Sequence, residues 1–183
     1  MTGIQFLKLM VRDPRIGAVT RSSSYVVEEV ARAVPNGTQS LVEYGAGDGV
    51  VTQALLRKLT TDGQCVVVEQ NVAFIPHLRG MGDSRLTVIA GDVLEISRDF
   101  FRAGLRQPPE VVVSNVPCTL LPAQDRERLV QQTHAGLAHG GRFVLYQYSL
   151  LMRPLLRKYF DEVRVRFEPW NFPPYFVMIA SKK

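Results

Sequence analysis

Cysteine is scarce: Cys65 and Cys118 are the only two among 183 residues, too far apart for a metal-binding pair and too few for a disulfide framework. A reducing, cytoplasmic setting and no metal site are the simplest expectation. Long apolar runs are missing as well, since none reaches the roughly 20 residues that a membrane helix needs. Arg12 and Asp13 follow the first apolar stretch, where a signal peptide would require small residues and a cleavage site. Acids are outnumbered 17 to 22, for a formal net charge of +5. The surplus is uneven: residues 1–24 hold Lys8, Arg12, Arg15 and Arg21 against Asp13 alone, and Arg153, Arg157 and Lys158 cluster later. Such patches suit an anionic membrane surface, nucleic acid or plain solvent alike. No pattern specifies an oligomeric state.

What is present is a 46% hydrophobic chain, long enough for one core and short for two, so residues 1–183 are expected to form a single domain. Residues 4–12 read as a short helix with Gln5, Lys8 and Arg12 on a narrow polar face, either packed on the domain or lying on a membrane surface. Asp13-Pro14 ends it, and the small, polar residues 16–24 lead into a second helix with Ser22, Ser23 and Ser24 as candidate caps and Val26, Val27 and Val30 on its buried side. Residues 1–35 thus read as a helical lid segment. From residue 40 strands and helices alternate, which predicts an α/β fold with a mostly parallel sheet. Val163 to Phe167 and Tyr175 to Ala180 read as a closing hairpin.

Val42-Glu43-Tyr44-Gly45-Ala46-Gly47-Asp48-Gly49 joins the first strand to a helix through a glycine-rich turn. Gly45 and Gly47 let the backbone bend and approach a ligand, and Asp48 is placed to cap the helix, in which Val51, Leu55 and Leu59 recur at four-residue spacing. A glycine-rich turn alone also fits a purely structural strand-to-helix connection. The dinucleotide fingerprint is excluded, because its third glycine would fall at position 50, which is Val50.

Glu43-x-Gly45-x-Gly47-x-Gly49 resembles motif I of the class I S-adenosylmethionine methyltransferases, whose Rossmann-like sheet has seven strands and ends in an antiparallel pair. The resemblance implies that Glu43 lies near the cofactor's amino group, with Tyr44, Gly45, Ala46 and Gly47 beneath its methionine part. Glu69, with Gln70 after it, ends the second strand and is placed to accept from two ribose hydroxyls. Gly91-Asp92-Val93 ends the third, where Asp92 can take an adenine amino hydrogen while Val93 packs on the ring; capping of the next turn is the competing reading. Ser114-Asn115-Val116-Pro117-Cys118 follows the fourth strand and should face the transferable methyl.

Taken with Asp13-Pro14, Ile16 to Val19, Gly140-Gly141 and Asn171-Phe172-Pro173-Pro174, the chain looks like a bacterial phospholipid N-methyltransferase, a group similar to the ribosomal RNA adenine dimethylases. That resemblance implies phosphatidylethanolamine as acceptor and a peripheral place at the inner membrane face; RNA and a non-catalytic cofactor-binding role are the alternatives. Asn115 and Tyr25 are the candidate catalytic residues, Tyr146 and Tyr148 further candidate proton partners, and Tyr25, Trp170 and Tyr175 a candidate aromatic wall for a methylated amine. Asn115-Val116-Pro117-Cys118 is similar to the adenine enzymes' motif, but Cys118 replaces the stacking aromatic. Asn171-Phe172-Pro173-Pro174-Tyr175 contains a related run, read as a turn because it falls in the terminal hairpin.

Overall fold

Val111-Val112-Val113, apolar on both faces, sits where such a run belongs, near the middle of a parallel sheet covered on both sides. The computed structural model describes residues 22–171 and 173–183. The expected helix at 4–12, with Lys8 and Arg12, lies outside them, as do the lid residues 1–21 and Phe172.

In chain order the elements are α1 (Ser24–Ala33), β1 (Thr38–Tyr44), α2 (Val50–Leu56), β2 (Leu59–Glu69), α3 (Ile75–Arg79), β3 (Leu86–Ala90), α4 (Val93–Ile96), β4 (Val111–Ser114), α5 (Ala123–Gly136), β5 (Arg142–Gln147), α6 (Arg153–Tyr159), β6 (Glu162–Glu168) and β7 (Tyr175–Ser181). The seven strands lie in the order β3-β2-β1-β4-β5-β7-β6. The first five are parallel, and β7 runs antiparallel between β5 and β6. The chain works outward from β1 through β2 to β3, then returns to β4 on β1's other side. That reversal opens a crevice beyond the carboxyl ends of β1 and β4.

Alternation along β1 divides the core. Leu41 joins Val26, Val30, Val51, Leu55, Val67 and Val113 on the face covered by α1 and α2. Val42 and Tyr44 join Leu129, Phe143, Leu145 and Leu156 on the face covered by α5 and α6. Of the segment expected as a lid, α1 is packed into the core through Val26, Val30 and Ala33, and the Ser23 hydroxyl caps it by accepting from Val26 N at 3.3 Å.

The expected helix after the glycine turn is shorter than its apolar spacing suggests. It ends at Leu56, and Leu59 instead opens β2, where it pairs with Thr38 and still enters the same core cluster. A buried strand residue satisfied the four-residue spacing as well as a helical one would.

Candidate functional site

The glycine turn occupies the crevice at the end of β1. Gly45 N donates to Val68 O at 2.8 Å and Gly49 N to Ala46 O at 3.0 Å, while Gly47 N donates to the Glu69 carboxylate at 2.8 Å. Gly45 and Gly47 have φ of +74° and +54°, a backbone region that side chains rarely tolerate. A Cβ on Gly47 would meet nothing within 4 Å among the described residues, which leave open space against the turn. One on Gly45 would lie 3.6 Å from the Asn115 carbonyl carbon, which brings the loop after β4 into contact with the turn. Asp48 does not act as the helix cap residue. Gly49 holds that position, and the Asp48 carboxylate accepts from Val50 N at 3.3 Å.

Glu43 lies beneath the turn and is 1% exposed. Thr52 on α2 donates to its Oε2 at 2.6 Å, whereas Oε1 is buried with no hydrogen-bond partner among the described residues. Burial pushes its carboxyl up to about 7, the Thr52 bond opposes this, and the charges of Glu69 and Asp48 add to it. Three carboxylates around one turn make a poor home for pyrophosphate and a suitable one for a cation. The orphaned Oε1 fits the ammonium of a bound amino acid such as the methionine part of S-adenosylmethionine.

Glu69 is buried at the end of β2, and burial raises its carboxyl above the ordinary range against three backbone hydrogen bonds. Its Oε2 takes Gly47 N and its Oε1 takes Asn71 N, both at 2.8 Å. Three of the four lone-pair sites of the carboxylate are thus engaged by backbone, which leaves one for a ligand hydroxyl. Gln70 beside it is exposed. Gly91 N donates to Glu69 O at 3.1 Å, tying the third strand end to the second. Asp92 is exposed and caps α4, Oδ1 accepting from Leu94 N at 2.8 Å, and Val93 is half-buried beside it. The capping reading is therefore observed, and Oδ2 has no protein partner among the described residues.

Two residues expected at the cofactor turn their side chains to the other face of the sheet. The Tyr44 side chain is fully buried on the sheet face opposite Glu43, its hydroxyl 3.4 Å from Thr133 Oγ1, so only its backbone borders the crevice. Ser114 pairs with Tyr44 and Leu145, lies on that same face, and its hydroxyl accepts from Val116 N at 3.3 Å. Its side chain shapes the loop rather than facing a ligand. The cause in both cases is the two-residue period of a strand.

Asn115 continues the ladder by donating its N–H to Tyr44 O at 3.0 Å, and its buried carboxamide has no protein partner among the described residues. Cys118 is fully buried and its thiol pushed up to about 12 by burial. Tyr25, on the first turn of α1, is half exposed, with its ring 6.4 Å from that of the more exposed Trp170. Tyr175 does not join that wall: it is buried against Tyr146 at 6.2 Å. Burial, then the charge of Glu43, raises the Tyr146 phenol well above its ordinary value, which makes it a donor and not a proton acceptor. Tyr148 shares a 2.7 Å hydrogen bond with Thr119, linking the loops after β4 and β5.

Two functional links went unseen in the sequence. Thr52, a polar residue between Val51 and Leu55 on the buried side of α2, was the available sign of a buried partner for Glu43. Asn171 accepts from Ser23 N at 2.9 Å and donates to Pro173 O at 2.8 Å, fastening the β6–β7 connection to the start of α1. No local pattern announces a contact across 148 positions.

No family model matches the chain. It is 28% identical over 163 residues to an ornithine lipid N-methyltransferase of Singulisphaera acidiphila, covering 87% of this chain and 84% of that protein. A probable ribosomal RNA small subunit methyltransferase A of Haloarcula marismortui is 34% identical over 89 residues, 46% of this chain but 30% of that protein. Among solved structures, the N-methyltransferase NodS of Bradyrhizobium japonicum in complex with S-adenosyl-L-homocysteine superposes with a TM-score of 0.72 at 13% identity, over 97% of both chains.

Proposed function

We propose that this chain, whose fold is that of the class I S-adenosylmethionine-dependent methyltransferases, transfers a methyl group from that cofactor to the primary amine of a membrane lipid. The observation that carries the reading is Glu43: a buried carboxyl with one oxygen unpartnered among the described residues, beneath a glycine turn that they leave open, asks for a cationic ligand. In this reading Glu43 holds the cofactor's ammonium, Glu69 turns its remaining acceptor capacity to the ribose hydroxyls, and Asp92 Oδ2 takes the adenine amino group between Gly91 and Val93. The cofactor, when bound, supplies an electrophilic methyl carbon.

The protein's own task is to place a neutral amine in line with that carbon and exclude water. Asn115, in contact with the turn through Gly45, is the residue we assign to the acceptor: its carboxamide oxygen accepts one amine N–H and aims the lone pair. Tyr25, with Trp170, offers ring faces to the cationic methylated amine. The lipid acceptor is supported by the similarity that spans 84% of the ornithine lipid enzyme, against 30% of the RNA enzyme. Phosphatidylethanolamine follows from the motif resemblance and ornithine lipid from the relative, and both present the same primary amine. Burial of Cys118 weighs against RNA, because nothing at that position can stack on a flipped base.

The test is methyl transfer from radiolabelled S-adenosylmethionine with three acceptors in parallel: vesicles of phosphatidylethanolamine, vesicles of ornithine lipid, and naked RNA. Label in either lipid fraction is expected. Label in RNA alone would replace the lipid reading with the adenine one.

A further inference from the structure

Large apolar side chains are not scattered over this surface. Eight are exposed among the described residues, and six of them, Tyr25, Leu120, Tyr148, Leu151, Phe167 and Trp170, belong to one half of one edge. Leu120 follows β4, and Tyr148 and Leu151 follow β5, so these three lie at the carboxyl ends of the parallel strands. Phe176 pairs with Gln147, which puts the β6–β7 connection carrying Trp170 at the same edge, and Phe167 pairs with Phe176 beside it. Asn171 ties the start of α1, and hence Tyr25, to that connection. Phe101 lies elsewhere, after α4, and Val72 follows β2 on the far side of β1.

Hydrogen bonds brace the segments that carry the rim. Trp170 N donates to the Glu168 carboxylate at 2.8 Å, the neighbouring Asn171 is bonded on both sides, and Thr119 and Tyr148 lock the two loops next to them. The Phe167 and Phe176 rings stand 5.1 Å apart. Beside Leu151, Arg153 and Arg157 on α6 have no carboxylate partner among the described residues, and the nearby Glu168 is buried. A rim of Trp, Tyr, Phe and Leu flanked by unpaired arginines is the composition that settles at the head-group level of an anionic bilayer.

We propose that this rim, the carboxyl edge of the β4-β5-β7-β6 half, is the surface that docks the protein on an anionic lipid bilayer, with Trp170 at the head-group level. The proposal rests on the lipid reading above, because it turns the crevice between Gly45 and Asn115 toward the bilayer. It assigns docking to the folded domain itself.

Trp170 is the single tryptophan of the chain and therefore reports directly. Vesicles of phosphatidylglycerol and phosphatidylcholine, with no amine lipid, should shift its emission to the blue, and lipids brominated high in the acyl chain should quench it. A double variant, Leu120→Glu with Leu151→Glu, should bind these vesicles at least tenfold more weakly yet keep its affinity for S-adenosylhomocysteine and its activity on a short-chain, monomeric amine lipid. Unchanged Trp170 emission on vesicle binding, or equal binding by the variant, would overturn the proposal. So would an emission already blue-shifted without vesicles, which would mean that residues 1–21 or a second copy cover the rim. Absence of methylation of the short-chain lipid would instead count against the acceptor reading, independently of the docking result.

Discussion

Thr52 and Glu43 share a 2.6 Å hydrogen bond inside the core, and it satisfies one carboxylate oxygen while the other has no partner among the described residues. An ionised carboxylate in that position lacks a counter-charge until a ligand brings one.

Cofactor binding is therefore expected to release a proton. With the empty protein's Glu43 near 7, the site is about half protonated at neutral pH, and pairing with an ammonium stabilises the ionised form. Affinity should rise with pH up to about 7, by as much as about tenfold per pH unit, and level off above it. Calorimetry at pH 7 in two buffers of different ionisation enthalpy should give different apparent heats. Glu43→Gln should abolish that difference and weaken binding; a buffer-independent heat in the unmodified protein would refute the linkage.

The same residue sets a stability trend of defined sign. Its carboxyl is raised in the fold from 4.5 to about 7, so the folded state holds the proton more tightly than the unfolded chain. The stabilisation present below pH 4.5 is lost as pH rises through about 7, amounting to roughly 3 kcal/mol. Glu43→Gln should melt higher than the parent at pH 8 and show a flatter profile between pH 4.5 and 7. Thermal denaturation across that range checks it.

Glu69→Ala should affect both binding and the apo protein. It removes the acceptors of Gly47 N and Asn71 N as well as those for the ribose, so binding should weaken by about 1–3 kcal/mol and the melting temperature should fall. An unchanged cofactor affinity in titration calorimetry would remove Glu69 from the ribose site.

Two glycines of the turn should separate stability from binding. Gly49 has a φ of +75°, and a Cβ there would press on the end of the Met81 side chain, which can shift, so Gly49→Ala should destabilise the fold by about 1–2 kcal/mol, chiefly through backbone strain. At Gly47 none of the described residues lies within 4 Å of such a Cβ, and Gly47→Ala should cost about 1–2 kcal/mol of backbone strain while filling space proposed for the ligand. Melting curves beside cofactor titrations should show Gly49→Ala losing chiefly stability and Gly47→Ala chiefly affinity.

The strands and the glycine turn were readable because each is local: apolar runs such as Val111-Val112-Val113 can form little else, and Gly45 and Gly47 answer to a backbone angle. The facing of Tyr44 and Ser114 was readable in principle from the period of two, yet motif matching alone assigned both to the ligand. Leu59 misled because a helix repeat and a strand start can share one spacing. The closure of Asn171 on Ser23 and of Thr119 on Tyr148 depends on strand order, and strand order is decided by the whole sheet. Trp170 and Leu151 acquire meaning only once that order places them on one edge.

The position of β7 bears on the order in which the molecule can be built. β6 is synthesised before β7 but pairs with no other strand among the described residues, and β7 fills the space between β5 and β6. Until residues 175–181 leave the ribosome, β5 therefore presents an open edge beside Phe143 and Leu145, and β6 has nothing to join. The nascent chain passes through an interval in which five parallel strands can have formed but the edge meant for β7 invites wrong partners, so an aggregation-exposed phase lasts until β7 has been made.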